Sequence, residues 1–165
     1  MNYIYREATP EDLDILWTKN VARHPGDARW MAWREEYIEI NRSGRGKTFA
    51  ILADGEPVGE GTLLFSPACG AIAGRRALAD GKTIANVNAL RIEKTHEGQG
   101  HMSRLARLME DWARAHGYAR LTIGVEARET RNTAIYLHWG YDEYVMAEYE
   151  DNMSALVLYY AKSLV

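Results

Sequence analysis

The chain carries a glycine-bearing turn, Glu97-Gly98-Gln99-Gly100-His101-Met102-Ser103, between an apolar stretch, Ile84 to Ile92 (IANVNALRI), and an amphipathic one from about Gly100 to His116. In the second stretch Met102, Leu105, Leu108, Met109 and Trp112 recur at three- and four-residue steps, while Arg104, Arg107, Glu110, Asp111 and Arg114 fall elsewhere. That periodicity predicts a core-facing helix, ended by Gly117. A strand leading into a long helix needs permissive backbone at the turn, and the two glycines supply it. The unpaired N–H groups and positive dipole end of a helix start suit an anion without any particular basic side chain. The turn therefore reads either as an ordinary connection or as a pyrophosphate-binding one, in which Gly98, Gln99, Gly100, His101 and Ser103 act mainly through backbone.

The flanking sequence supplies the context. Tyr3 to Glu7 alternates as a short strand, and Thr9-Pro10-Glu11-Asp12 gives a cap, a first-turn proline and acids for a helix carrying Leu13, Leu16 and Trp17. His24-Pro25-Gly26 separates it from a second helix, about Asp27 to Ile40, bearing Trp30, Trp33 and Tyr37. Those aromatics serve either as core or as the lining of a small-molecule pocket. Thr48 to Ala53 and Val58 to Phe65 read as strands joined by a hairpin at Asp54-Gly55-Glu56-Pro57. Ser66 to Lys82 is too long for a tight turn and predicts a loop with a short helix, placed to cover a pocket or simply on the surface, with Arg75 and Arg76 as solvated charges. Leu121 to Val125 is an apolar strand, Arg131 to Trp139 a helix closed by Gly140, and Tyr141 to Tyr149 and Leu156 to Ala161 the last strands. The order predicts a mixed α/β fold, a central mixed sheet of about six to seven strands flanked by about four helices, as one domain over residues 1–165.

Bulk properties narrow the partners. A net charge of −3 gives no basic footprint for nucleic acid, and no apolar run is long enough for a membrane span. The first residues are acidic where a signal peptide is basic, and a lone cysteine, Cys69, permits neither an internal disulfide nor a metal site. A cytoplasmic location is expected. His24, His96, His101, His116 and His138 lack the spacing of a metal-ligand set, so no metal is expected.

The succession of strand, EGQGHMS turn, long helix, LTIGVEA strand and NTAIYLHWGY resembles the GNAT superfamily of N-acetyltransferases over nearly the whole chain. Gly98 and Gly100 match the glycine-bearing part of that family's [QR]-x-x-G-x-[GA] turn. Tyr136 to Tyr141 (YLHWGY) matches its Y-x-x-x-G-[FY] helix end. Glu97 stands where Gln or Arg is usual, and Met102 where Gly or Ala is usual.

The resemblance implies acetyl-CoA as co-substrate. Leu90 and Ile92 would bond pantetheine and the acetyl carbonyl through backbone, and Gly98, Gln99, Gly100, His101, Met102 and Ser103 would surround the pyrophosphate. Tyr136 would be the general acid that protonates the departing thiolate. Asn132, one turn earlier on the same face, would contact the cofactor or cap the helix. Glu60 and Glu126 are candidate bases and Asn88 a candidate for orienting the substrate, with the base unassigned. The acceptor would be a small-molecule or peptide primary amine attacked directly in a ternary complex, and a homodimer is left open. The rival reading is a non-catalytic acyl-CoA-binding or sensor domain of the same fold.

Overall fold

The computed structural model describes residues 1–165. In chain order they form β1 (Tyr3–Glu7), α1 (Pro10–Ala22), α2 (Ala28–Ser43), β2 (Gly46–Ala53), β3 (Glu56–Leu64), β4 (Ile84–Ile92), a 3₁₀ turn (Lys94–His96), α3 (His101–Ala115), β5 (Arg120–Glu126), α4 (Thr130–His138), β6 (Glu143–Glu150) and β7 (Ala155–Ser163). The seven strands make one sheet in the order β1-β2-β3-β4-β5-β7-β6. It is mixed, because β4 and β5 run parallel whereas β1–β2, β5–β7 and β6–β7 are antiparallel. This is the expected mixed α/β fold, with seven strands and four helices. The chain clusters into two compact units, one of residues 1–63 with 89–109, the other of residues 64–88 with 110–165.

In the first unit the start of α1 follows from its cap. The Thr9 hydroxyl accepts from the Asp12 N–H (3.1 Å), and the Asp12 carboxylate accepts from the Thr9 N–H (2.9 Å), so two otherwise unpaired donors are satisfied reciprocally. The helix buries Leu13, Leu16 and Trp17, and Leu16 packs on Ala50 and Leu52 of β2. Asp54 and Gly55 both have positive φ (47° and 84°), the backbone demanded by a two-residue hairpin between β2 and β3. Gly61 of β3 permits a close approach: a Cβ there would lie 2.7 Å from Leu90 Cδ2 and 2.8 Å from Met109 Sδ.

In the second unit β5 is buried at Leu121, Thr122, Ile123 and Val125, as its apolar run predicts. Residues 66–82 hold no helix, contrary to expectation; successive turns replace it. The segment is anchored rather than loose. Cys69, Ile72, Leu78 and Ala79 are buried, the Thr122 hydroxyl donates to the Leu78 carbonyl (2.7 Å), and the Gly81 N–H donates to the Phe65 carbonyl (2.7 Å), closing the segment on itself. Arg75 is likewise not a solvated charge. Its guanidinium donates to Glu150 (2.7 Å) and to the carbonyls of Ala71 (2.8 Å) and Ile72 (2.9 Å), and it lies 5.2 Å from the centre of the Tyr159 ring. The sequence could not announce this, since Glu150 and Tyr159 lie far along the chain. Arg76 is exposed as expected.

Asp80 ends the segment by accepting from the N–H groups of Lys82 (2.9 Å), Thr83 (2.8 Å) and Ile84 (2.9 Å) and from the Thr83 hydroxyl (3.0 Å). Burial alone would raise its pKa; these bonds override that and bring it down to about 2 from 3.8. A carboxyl whose folded pKa is depressed contributes stability above its unfolded pKa. That contribution is lost as the pH falls from 3.8 toward about 2. Asp80→Ala is expected to lower stability at neutral pH by about 1 kcal/mol, or roughly 2–4 °C in melting temperature. The difference from the parent, followed by thermal melts across pH, should vanish at the acid end of that window.

Candidate functional site

The β4 ladder with β5 pairs Ile84–Val87 with Arg120–Ile123, and β4 itself continues to Ile92. Beyond the ladder comes Ala89 with φ of +55°, a left-handed conformation that a non-glycine residue enters at a cost and that interrupts the pleat. Leu90 and Ile92 follow, both half-buried, in the first compact unit. The Glu93 N–H donates to the Val58 carbonyl (2.9 Å), which fastens the end of β4 to β3. The 3₁₀ turn then leads into the glycines.

Gly98 and Gly100 have φ of +73° and +84°, and a Cβ at either would meet nothing within 4 Å. Both glycines thus combine left-handed backbone with open space beside it. The first helical bond of α3 runs from the Arg104 N–H to the Gly100 carbonyl (3.2 Å), so the donors of His101, Met102 and Ser103 precede the helix's own ladder. Glu97 is exposed. Met102 is half-buried rather than core; the buried stripe of α3 is His101, Leu105, Met109 and Ala113, an i, i+4 series in which a histidine occupies the first place. A polar residue in an apolar stripe escapes periodicity, and the sequence reading put Met102 there instead.

Tyr136 and Asn132 lie on α4 in the second unit. The end of this helix is held from β7: Lys162 donates to the Trp139 carbonyl (2.6 Å) and to Glu110 (2.8 Å), placing a cation at the negative end of the helix. Gly140, with φ of +99°, leaves the Lys162 side chain its room. Tyr136 is half-buried and packs at 5.5 Å from Trp139. Burial, and then the nearby Glu129, push its hydroxyl pKa up, so it carries its proton at neutral pH. Tyr159 is also shifted up, by burial and by donating its hydroxyl to Glu150 (2.6 Å). Asn132 does not cap the helix, because the N-cap is Glu129, which makes no side-chain cap bond. Asn132 is exposed. Glu126 is paired with Arg128 (3.1 Å), and Asn88 donates to the Asn86 side chain (3.4 Å).

Glu60 is committed within the first unit. It is 1% exposed, accepts from Asn20 Nδ2 (2.8 Å) and from Arg91 Nε (3.4 Å), and keeps Oε1 without a partner. Arg91, between Leu90 and Ile92, stacks 5.0 Å from the Trp17 ring and 5.1 Å from the Trp30 ring. Sequence reasoning missed Arg91; the signal available was a cation inside an otherwise apolar strand. Of the aromatics on α2, Tyr37 is core and Trp30 and Trp33 are half-buried. A concavity of about 180 Å³ at the α1–α2 corner is lined by His24, Pro25 and Met31 among others, and by none of the three. No three His, Cys, Asp or Glu side chains are grouped to hold a metal ion, and no helix is long and apolar enough to cross a membrane.

The sequence model of the acetyltransferase (GNAT) family matches residues 7–141. Among solved structures the chain is similar to an N-acetyltransferase from Staphylococcus aureus Mu50, with 17% identity, all of each chain covered and a TM-score of 0.69. It is similar to the ribosomal-protein-S18-alanine N-acetyltransferase of Escherichia coli at 13% identity, covering 99% of this chain and 94% of that one, with a TM-score of 0.72. PaiA N-acetyltransferase from Thermoplasma acidophilum, in complex with coenzyme A, gives 17% identity, 99% of each chain and 0.63. A search of curated proteins finds no match.

Glu60 and Arg91 generate a stability prediction. Glu60→Ala leaves a partly buried guanidinium unpaired and is expected to cost about 3 kcal/mol, whereas Glu60→Leu with Arg91→Met together recovers much of the loss by replacing the pair with apolar packing. Denaturant midpoints of the three proteins provide the check. A double variant no more stable than Glu60→Ala would contradict it.

Proposed function

We propose that this chain, which belongs to the acetyltransferase (GNAT) family, transfers the acetyl group of acetyl-CoA to a primary amine by direct attack in a ternary complex. Acetyl-CoA is the co-substrate that this family uses. The observation carrying the reading is the stretch from Ala89 to Ser103: a kinked strand end, two left-handed glycines with open space beside them, and helix-start donors in series ahead of the helix's own ladder. In this reading residues 1–165 act as one acetyltransferase domain in the cytoplasm, on a small-molecule or peptide amine.

Leu90 and Ile92 offer backbone groups to pantetheine and the acetyl carbonyl, and Gly98 to Ser103 offer N–H groups to the pyrophosphate. Tyr136 donates its phenolic proton to the thiolate as the thioester opens, and its upward-shifted pKa keeps that proton in place until then. Asn132, exposed on the same helix, contacts the cofactor. The second reading, an acyl-CoA sensor without turnover, rests on the departures at Glu97 and Met102 from the family's turn. CoA release across a mixed amine library separates the two: binding with no release for any amine supports the sensor.

Saturating acetyl-CoA is expected to raise the melting temperature by mass action. Gly100→Asp should abolish that rise, because it adds bulk, charge and a left-handed penalty of about 1–2 kcal/mol, while the variant still folds. An equal rise in the variant would overturn the phosphate reading. Tyr136→Phe is expected to lower turnover by about 10²–10⁴-fold with acetyl-CoA affinity nearly unchanged, measured by steady-state CoA release and calorimetry. Unaltered turnover with chemistry rate-limiting would return Tyr136 to a packing role.

A further inference from the structure

His101 is 6% exposed at the first residue of α3, and a buried imidazole must find partners for its ring nitrogens. It finds them in β1 and in the turn itself. Nε2 lies 3.2 Å from Gln99 Oε1, an acceptor, so Nε2 carries the proton and Nδ1 accepts from the Tyr5 hydroxyl (2.5 Å). Tyr3, two residues before Tyr5 and on the same face of the strand, stacks its ring 3.9 Å from that of His101. Its hydroxyl lies 2.8 Å from His96 Nδ1 and 3.5 Å from Gln99 Oε1. One short strand thus holds His96, two residues before the first glycine, Gln99 between the two and His101 after them. Gly98 and Gly100 have no neighbour within 4 Å of a Cβ position, so packing does little to fix their conformation.

We propose that Tyr5 and Tyr3 are positioning residues for acetyl-CoA, acting through His101, Gln99 and His96 to hold the Gly98–Ser103 turn in its anion-binding conformation. The proposal rests on the pyrophosphate reading of that turn. Fixing the turn beforehand means that less conformational entropy is lost when the cofactor binds. The charged and titratable groups around His101 act in the same sense. Burial first, then His96 and Arg104, lower its pKa, which keeps Nδ1 free to accept from Tyr5 at neutral pH. Arg104 itself lies 6.0 Å from the Tyr5 ring.

Calorimetric titration of the whole protein with acetyl-CoA, and with the nucleoside pyrophosphate half of CoA that lacks pantetheine, tests this. Tyr5→Phe is expected to weaken both ligands by the same factor, about fivefold, the equivalent of one neutral hydrogen bond. His101→Leu should weaken them at least as much, and Tyr5→Phe should add little in its presence, a non-additivity that two independent packing effects would not give. His101→Asn, which keeps an acceptor near the place of Nδ1, should restore part of the loss. Melting curves establish that each variant is folded at the titration temperature. Parent-like affinity in Tyr5→Phe, or additive losses in the double variant, overturns the positioning role, and if Gly100→Asp still abolishes binding the turn reading stands. Parent-like affinity in Gly100→Asp overturns both.

Discussion

Strand β4 has to satisfy its backbone in two ways along its length, and much of the candidate site depends on how it does so. Its first four residues exchange hydrogen bonds with β5 in parallel, and Glu93, just past its end, is tied to β3. A backbone donor or acceptor in a buried strand cannot be left unpaired without a cost of about 1–3 kcal/mol. Past the four residues paired with β5, Ala89 takes a φ of +55°, and alanine brings the smallest side chain that can be forced into that conformation short of glycine itself. The side-chain arrangement that follows is fixed by alternation. Arg91 points into the Trp17, Trp30 and Glu60 cluster, while Leu90 meets the gap left by Gly61.

The fold was largely legible because its signals are local. Capping at Thr9 and Asp12, the corner at His24 to Gly26, the Asp54-Gly55 hairpin and the glycine that closes α4 each act within a few residues, and each appears where the spacing put it. The misreadings have a common cause in distance along the chain. Arg75 looks like a solvated charge until Glu150 and Tyr159 are brought to it, and the absence of a helix in 66–82 follows from anchors such as the Thr122 hydroxyl, which no local pattern reveals. His101 belongs to the same class. Helical periodicity assigns apolar residues to the core, and the Tyr5 hydroxyl together with Gln99 makes an imidazole acceptable there.

The same distinction runs through the candidate site. Its glycines were readable because the requirement they meet is conformational and intrinsic to the residue type. Its side chains were readable only through resemblance, because an upward-shifted phenol at Tyr136 depends on burial and on Glu129, and the engagement of Glu60 depends on Asn20 and Arg91.

The departure at Glu97 can be weighed by magnitude. An exposed carboxylate about 4 Å from a phosphate in water is opposed by roughly 1 kcal/mol, reduced further by salt at physiological strength. Each hydrogen bond from a helix-start N–H to a charged oxygen returns about 1.5–3 kcal/mol, and several such donors lie between Gly98 and Ser103. A backbone-built anion site therefore tolerates a mismatched side chain at its rim, because its recognition resides in donors that every residue type possesses. What it does not tolerate is loss of the backbone conformation that aligns them. In the proposed reading this places the demand on Gly98 and Gly100, and on the hydrogen bonds that hold their neighbours His96, Gln99 and His101, rather than on the identity of the residue at position 97.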